Sequence, residues 1–126
     1  MKLIVLIDDS AFHRRVAGYE LSTRSGIVIP EQVQTVDDID GADVGLLILD
    51  RHMIRSWRQA TERLVSRIGP ECEIVEWTAG TKFDDRERWH NSIMAISKIG
   101  PMGMLAKVVN RWIATGTVRD EKESAV

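Results

Sequence analysis

Five polar residues of this sequence follow short apolar runs, and their types suit metal and phosphoryl chemistry. Asp8 and Asp9 come directly after LIVLI, and Asp50 comes directly after VGLLIL. Thr78 follows EIVEW, and Lys98 follows IMAIS. A carboxylate beside a metal ion can attack a phosphoryl group, while a hydroxyl and an ammonium hold the phosphoryl oxygens. If the chain brings the five residues together, they form a candidate phosphoryl-transfer site.

Crowding of the three aspartates predicts a bound cation. Neighbouring carboxylates repel one another unless a positive charge neutralises them. Hard oxygen ligands that leave room for water and phosphate favour Mg²⁺, with Mn²⁺ as the alternative, and no cluster of histidine and cysteine offers another metal site. The competing interpretation is that Asp8 and Asp9 only cap a helix, whose N-terminus favours negative charge.

Short apolar strands alternate with amphipathic segments, and these elements must position the five residues. The order favours an α/β fold, a parallel sheet with helices on both faces. In such sheets, ligands bind beyond the carboxyl ends of the strands, and the order 2-1-3-4-5 would gather the five residues at one rim. The predicted strands cover residues 3–7, 32–36, 44–49, 73–77 and 93–97.

The second strand and the segment after it are the least regular part of the pattern. Two β-rich pieces, 27–29 and 32–36, flank Pro30, which cannot donate to a strand ladder. We place the second strand in the later piece. Asp37, Asp38, Asp40 and Asp43 then leave room for one or two helical turns, so the second helix is expected to be short or missing.

Helical spacing predicts four further helices. Ser10 is the expected N-cap of the first, with Phe12, Val16, Tyr19 and, at the helix end, Leu21 on one side. A long helix is predicted over 54–68 and a short polar one over 83–91. The most regular helix should end at Gly116, and its apolar stripe is Leu105, Val108, Val109, Trp112 and Ile113.

Composition indicates a single globular domain. The chain has 126 residues, 44 % of them hydrophobic, and a formal net charge of −2, which does not favour binding to DNA. The lone Cys72 cannot form an internal disulfide, and the N-terminal apolar run is too short for a signal peptide or a membrane span. We expect a cytoplasmic domain over 1–116, without membrane contact or an output domain of its own, and a disordered charged tail over 117–126.

The spaced motifs resemble those of one protein family. DDSAFHRRV at 8–16, LLILD at 46–50, IVEWTA at 74–79 and AISK at 95–98 are similar to the segments that carry the site of receiver domains in bacterial two-component response regulators, of the chemotaxis-receiver type. The resemblance spans 2–113. It implies a flavodoxin-like fold and a signalling domain that is not an enzyme beyond its own phosphorylation and dephosphorylation.

The resemblance also implies roles and partners. Asp50 would be the phosphoacceptor, Thr78 and Lys98 would contact the phosphoryl group, and Asp8, Asp9, Asp50 and the backbone carbonyl of His52 would bind Mg²⁺. The phosphoryl donor would be a histidine kinase or a phosphotransfer protein. The output would be contact with a downstream protein, or a homodimer, through the face formed by the fourth helix, fifth strand and fifth helix, where Trp89, Met102 and Met104 are either contact residues or ordinary packing.

Three departures from the family pattern affect output more than chemistry. Ile54 and Ile99 stand where the family usually has proline, and Ala95 stands where an aromatic side chain commonly moves inward on phosphorylation. The alternative is therefore a degenerate receiver that binds a partner constitutively. A phosphohydrolase of the haloacid dehalogenase type is disfavoured, because it needs an aspartate where this chain has Ser10 or His52. His13, His52 and His90 are assigned to the surface.

Overall fold

The computed structural model describes residues 2–22, 24–30, 43–50, 58–79, 92–98 and 103–119. Its elements are five strands and three helices. The strands are β1 (Leu3–Ile7), β2 (Ile27–Val28), β3 (Val44–Asp50), β4 (Glu73–Thr78) and β5 (Met94–Ser97). The helices are α1 (Ala11–Glu20), α2 (Arg58–Arg67) and α3 (Met104–Thr115).

The five strands form one parallel sheet in the order β2-β1-β3-β4-β5. This confirms the predicted α/β fold and its strand order. The sequence specifies β1 and β3 because their residues are apolar on both faces, as the central strands of a covered parallel sheet must be. All seven residues of β3 are buried, and it pairs with β1 on one side and β4 on the other.

Two apolar clusters cover the sheet, one on each face. One cluster joins Ile4 and Leu6 of β1 to Ala17 of α1 and Val108 of α3. The other joins Val5 and Ile7 of β1 to Leu64 of α2. Alternation along a strand sends neighbouring side chains to opposite faces, so α1 and α3 share one face of the sheet and α2 lies on the other.

The predicted position of the second strand was wrong. β2 is Ile27–Val28, which pairs with Ile4 and Val5, whereas residues 32–36 lie outside the described residues. Gly26 has a positive φ of 75° and its carbonyl accepts from the Ile4 N–H at 2.9 Å, so the chain turns into the sheet edge directly before β2. A two-residue strand is too short to show alternation in the sequence.

The predicted apolar side of α1 was wrong at Phe12 and Tyr19, while its fourth member, Leu21, is buried. Phe12 is 66 % exposed and Tyr19 is 85 % exposed, whereas Ala17 and Leu21 are buried. Small Ala17 lets the helix approach the sheet closely. The predicted N-cap is confirmed, because Ser10 Oγ accepts from the His13 N–H at 3.3 Å.

The last helix matches its predicted stripe except at one position. Leu105, Val108 and Val109 are buried, but Ile113 is 52 % exposed. The helix ends as predicted at Gly116, whose φ of 80° suits glycine and whose N–H donates to the Trp112 carbonyl at 2.8 Å. The predicted helix over 83–91, the acidic segment 37–42 and the first part of the helix over 54–68 lie outside the described residues.

The first residues of the predicted tail pack against β4. The Glu73 carboxylate accepts from Thr117 Oγ1 at 2.7 Å and from the Val118 N–H at 2.8 Å, and the Val118 side chain is fully buried. Residues 120–126 lie outside the described residues, so the boundary at 116 stays a prediction. None of the helices described is long and apolar enough to cross a membrane.

Replacing Gly45 by alanine should destabilise the fold. The register of β1 against β3 shifts between Leu3 and Ile4, which leaves Gly45 as the extra residue of β3. A Cβ at Gly45 would lie 2.5 Å from Trp112 Cζ2 and 2.7 Å from Lys2 Cβ. Overpacking of this kind costs about 1–3 kcal/mol, measurable by urea unfolding.

The matched control is Gly18→Ala. A Cβ at Gly18, in α1, meets nothing within 4 Å, so this variant should equal the parent or gain up to about 1 kcal/mol from helix propensity. Equal stability of Gly45→Ala and the parent would contradict the close approach of Trp112 to β3.

Cys72 should react slowly with alkylating reagents. Burial, with a smaller contribution from neighbouring Glu73, raises the pKa of its thiol from 9.0 to about 11. The thiolate is the nucleophile, so at pH 8 its fraction falls by roughly 100-fold. Iodoacetamide labelling of the native protein, with urea-unfolded protein as the control, measures this; equal rates in both states would contradict it.

Candidate metal centre

The three predicted carboxylates lie together at the carboxyl ends of two adjacent strands. Asp8 follows β1, Asp50 ends β3, and Ile7 is the register partner of Leu49. One carboxylate oxygen from each of Asp8, Asp9 and Asp50 falls within 4.8 Å of the others. Asp8 and Asp50 are buried and Asp9 is exposed, which leaves the cluster open to solvent on one side.

Lys98 contacts two of these carboxylates. Its Nζ lies 2.5 Å from Asp8 Oδ2 and 2.7 Å from Asp50 Oδ1. The side chains of Lys98, Asp8 and Asp50 are 3 %, 0 % and 6 % exposed, so this is a buried network. The predicted convergence of strand-end residues on one rim is therefore observed for these four positions.

The backbone around Asp8 fixes the direction of its carboxylate. Asp8 Oδ1 accepts from the Ser10 N–H at 2.8 Å, while Oδ2 accepts from Lys98. The Arg14 guanidinium donates to the Asp8 carbonyl at 3.0 Å. Because Ser10 is also the N-cap of α1, one short segment positions both the helix and a carboxylate of the site.

Thr78 lies where β4 separates the strands of Asp50 and Lys98. Thr78 is the register partner of Ser97 and is 7 % exposed. Its carbonyl accepts from the Lys98 N–H at 2.7 Å. Asp50 is the register partner of Trp77, directly before Thr78. Thr78 therefore lies at the same rim as Asp50 and Lys98, where the strand-end pattern predicted it.

Sequence reasoning missed two residues that contact Lys98. His13 Nδ1 lies 3.3 Å from Lys98 Nζ, and the Trp77 ring centroid lies 4.9 Å from the same atom. The assignment of His13 to the surface was wrong. The side of α1 that faces the sheet carries His13, Ala17 and, at the helix end, Leu21. The spacing of four between His13, Ala17 and Leu21 was the available signal, but larger apolar residues on another face outweighed it.

The donor set fits a hard divalent cation. The Lys98 ammonium contacts two of the three carboxylates, and each of the three offers an oxygen ligand atom. Purely oxygen ligands favour Mg²⁺ or Mn²⁺ over zinc. The fourth predicted ligand, the carbonyl of His52, lies outside the described residues, as do Ile54 and Ile99.

Comparisons with known proteins support the fold. No protein-family model matches the chain, and no curated protein matches it either. A similar solved structure is the crystal structure of a response regulator receiver modulated diguanylate cyclase from Pelobacter carbinolicus. The match has a TM-score of 0.60 and 13 % sequence identity, and covers 100 % of each chain. The chain thus has the flavodoxin-like fold of receiver domains.

Proposed function

We propose that this chain is a receiver domain that accepts a phosphoryl group on Asp50 in a Mg²⁺-dependent reaction and signals through protein contacts. The observation that carries the proposal is the Lys98 ammonium, which joins Asp8 and Asp50 at the carboxyl rim of a receiver-like sheet. The three clustered carboxylates, of which one is exposed, offer the oxygen ligands that a divalent cation needs.

The residues of the chain divide the chemistry among them. An Asp50 carboxylate oxygen attacks phosphorus, and the imidazole nitrogen of the donor's phosphohistidine leaves with the electron pair of the broken phosphorus–nitrogen bond; with acetyl phosphate the leaving atom is an oxygen. Lys98 and Thr78 then hold phosphoryl oxygens. The metal would be held by Asp8, Asp9 and Asp50, with the His52 carbonyl as a further ligand, and it would offset the negative charge gathered around the phosphoryl group.

Partners follow from the proposed chemistry. The donor is a histidine kinase or phosphotransfer protein in the cytoplasm. The output surface includes β5 and α3, because Lys98 directly follows β5 and any movement of its ammonium reaches that strand first. Homodimerisation through this surface is the alternative to a separate downstream protein.

Ala95 favours a second candidate function, a constitutive binding module. Ala95 is the register partner of Glu76 in β4, and its methyl group cannot occupy alternative positions as an aromatic ring does. In such a module the carboxylate site is present, but phosphorylation does not alter the conformation of β5 and α3 or their affinity for a partner.

Incubation with acetyl phosphate and Mg²⁺ tests the primary proposal. We expect the intact protein to gain the mass of one phosphoryl group, and the label to be lost in hydroxylamine, as an acylphosphate is. Borohydride reduction followed by peptide mapping should place it at Asp50. No mass gain at saturating Mg²⁺, or a label at another residue, would overturn the proposal.

Beryllofluoride with Mg²⁺ separates a switch from a passive module. In a switch, amide shifts extend from Thr78 and Lys98 to residues of α3. In a module, the shifts stay around Asp8 and Asp50. Beryllofluoride without Mg²⁺ is the control, and it should leave the spectrum unchanged in both cases.

A further inference from the structure

His13 contacts Lys98 of the candidate site but has no role in the proposed phosphoryl transfer. It lies one helical turn before buried Ala17, on the side of α1 that faces the sheet, and it is partly buried. Its Nδ1 is 3.3 Å from Lys98 Nζ, and its ring meets the Trp77 ring edge to face, with centroids 6.0 Å apart. The imidazole thus packs between the helix and the ammonium of the site.

The hydrogen bonds of the Lys98 ammonium indicate what His13 does. An ammonium has three N–H donors and no acceptor. Two donors go to Asp8 Oδ2 and Asp50 Oδ1, and the third acceptor within reach is His13 Nδ1. Nδ1 must therefore accept, which requires the neutral imidazole with its proton on Nε2.

The position of the imidazole is set by the same segment that fixes Asp8. Ser10 Oγ accepts from the His13 N–H, and the Ser10 N–H donates to Asp8 Oδ1. Phe12 packs on the His13 ring at 5.4 Å between centroids. The acceptor on α1 and the carboxylate after β1 are thus held at a fixed separation.

We propose that His13 is a positioning residue that fixes the Lys98 ammonium through its third hydrogen bond. The inference rests on the proposed phosphorylation of Asp50. When Asp50 forms its bond to phosphorus and the donor leaves, Lys98 must redirect one N–H from Asp50 to a phosphoryl oxygen. Asp8 and His13 keep the other two N–H groups, so the ammonium stays in place during the transfer.

The first test reads the tautomer and does not depend on phosphorylation. A long-range ¹H–¹⁵N spectrum of the labelled parent at pH 8 should show His13 with its proton on Nε2 and an unprotonated Nδ1, with His13→Asn identifying the signals. The opposite tautomer would overturn the inference. Because no phosphoryl donor is present, this result stands even if Asp50 is never labelled.

The second test compares two substitutions. His13→Leu keeps bulk but has no acceptor, whereas the side-chain oxygen of His13→Asn lies near the position of Nδ1. We expect Lys98 ammonium protons to exchange with water about five-fold faster in His13→Leu than in the parent, and acetyl phosphate labelling to slow by about five-fold, the loss of roughly one hydrogen bond.

His13→Asn should restore both rates to within about two-fold of the parent. A merely structural histidine would not be rescued by asparagine. Equal rates in His13→Leu and the parent, or no rescue by His13→Asn, would overturn the inference. If the parent is not labelled at all, the proposed function fails while the ammonium exchange rates still decide the role of His13.

Discussion

Replacing Asp50 by asparagine should reduce labelling by acetyl phosphate by roughly 100-fold or more, to background. The amide has nearly the shape of the carboxylate and keeps one acceptor oxygen for Lys98, but it lacks the nucleophilic oxygen that forms the acylphosphate. Asp50 is buried at the end of β3, and its Oδ1 already lies 2.7 Å from the ammonium that would hold the phosphoryl group. Mass spectrometry of the intact protein at saturating Mg²⁺ measures the effect.

The matched control is Asp43→Asn. Asp43 is exposed and directly precedes β3 at the end of the sheet opposite Asp50. The same change of side chain there should leave labelling at the parent level. Labelling that persists in Asp50→Asn would show that another residue accepts the phosphoryl group, and the proposed division of roles would be wrong.

Replacing Lys98 by methionine should lower the free energy of unfolding by about 3–5 kcal/mol when divalent ions are removed. Methionine leaves Asp8 and Asp50 buried without the ammonium that both contact, with Asp9 adding further repulsion. Removing one partner of a buried ion network lowers the stability by more than the intact network adds to it, because a buried charge then remains without its counter-charge. Urea unfolding in EDTA measures the loss.

Mg²⁺ should restore part of the stability lost in Lys98→Met, because a cation among the carboxylates replaces the missing positive charge. The double variant Asp50→Asn with Lys98→Met should be more stable in EDTA than Lys98→Met alone, since it has one fewer buried carboxylate that has lost the Lys98 ammonium.

Lys107→Met is the control for the loss of a lysine. Lys107 is exposed on α3, and its replacement should change stability by no more than about 0.5 kcal/mol. Equal free energies of unfolding for Lys98→Met and Lys107→Met in EDTA would show that the buried network does not stabilise the fold.

The positions of the strand-end residues were predictable from the sequence for a local reason. Apolar runs such as LIVLI specify buried strands, and parallel strands with crossover helices place the residue after each run at the same rim. Asp8, Asp50, Thr78 and Lys98 therefore reach one edge without any knowledge of side-chain packing. The order 2-1-3-4-5 places β1, β3, β4 and β5 side by side, which brings these four residues to neighbouring strand ends.

The edge strand and the inward face of α1 were not predictable in this way. β2 has only two residues, and it is defined by its pairing with Ile4 and Val5 rather than by a pattern of its own. On α1 the sequence offers two candidate faces, and the one with larger apolar side chains lies outside. Helix packing on a sheet depends on shape, and Ala17 permits a closer approach than Phe12 or Tyr19 would.

The sequence by itself determined the parallel α/β fold and the strand ends that bear the carboxylates and the lysine, because both depend on periodicity and chain connectivity. Only the tertiary structure decided that the Lys98 ammonium contacts Asp8, Asp50 and His13 beside Trp77. The physical reason is that the rotation of α1 about its axis is set by packing against the sheet, and a rotation of one residue exchanges His13 for Phe12.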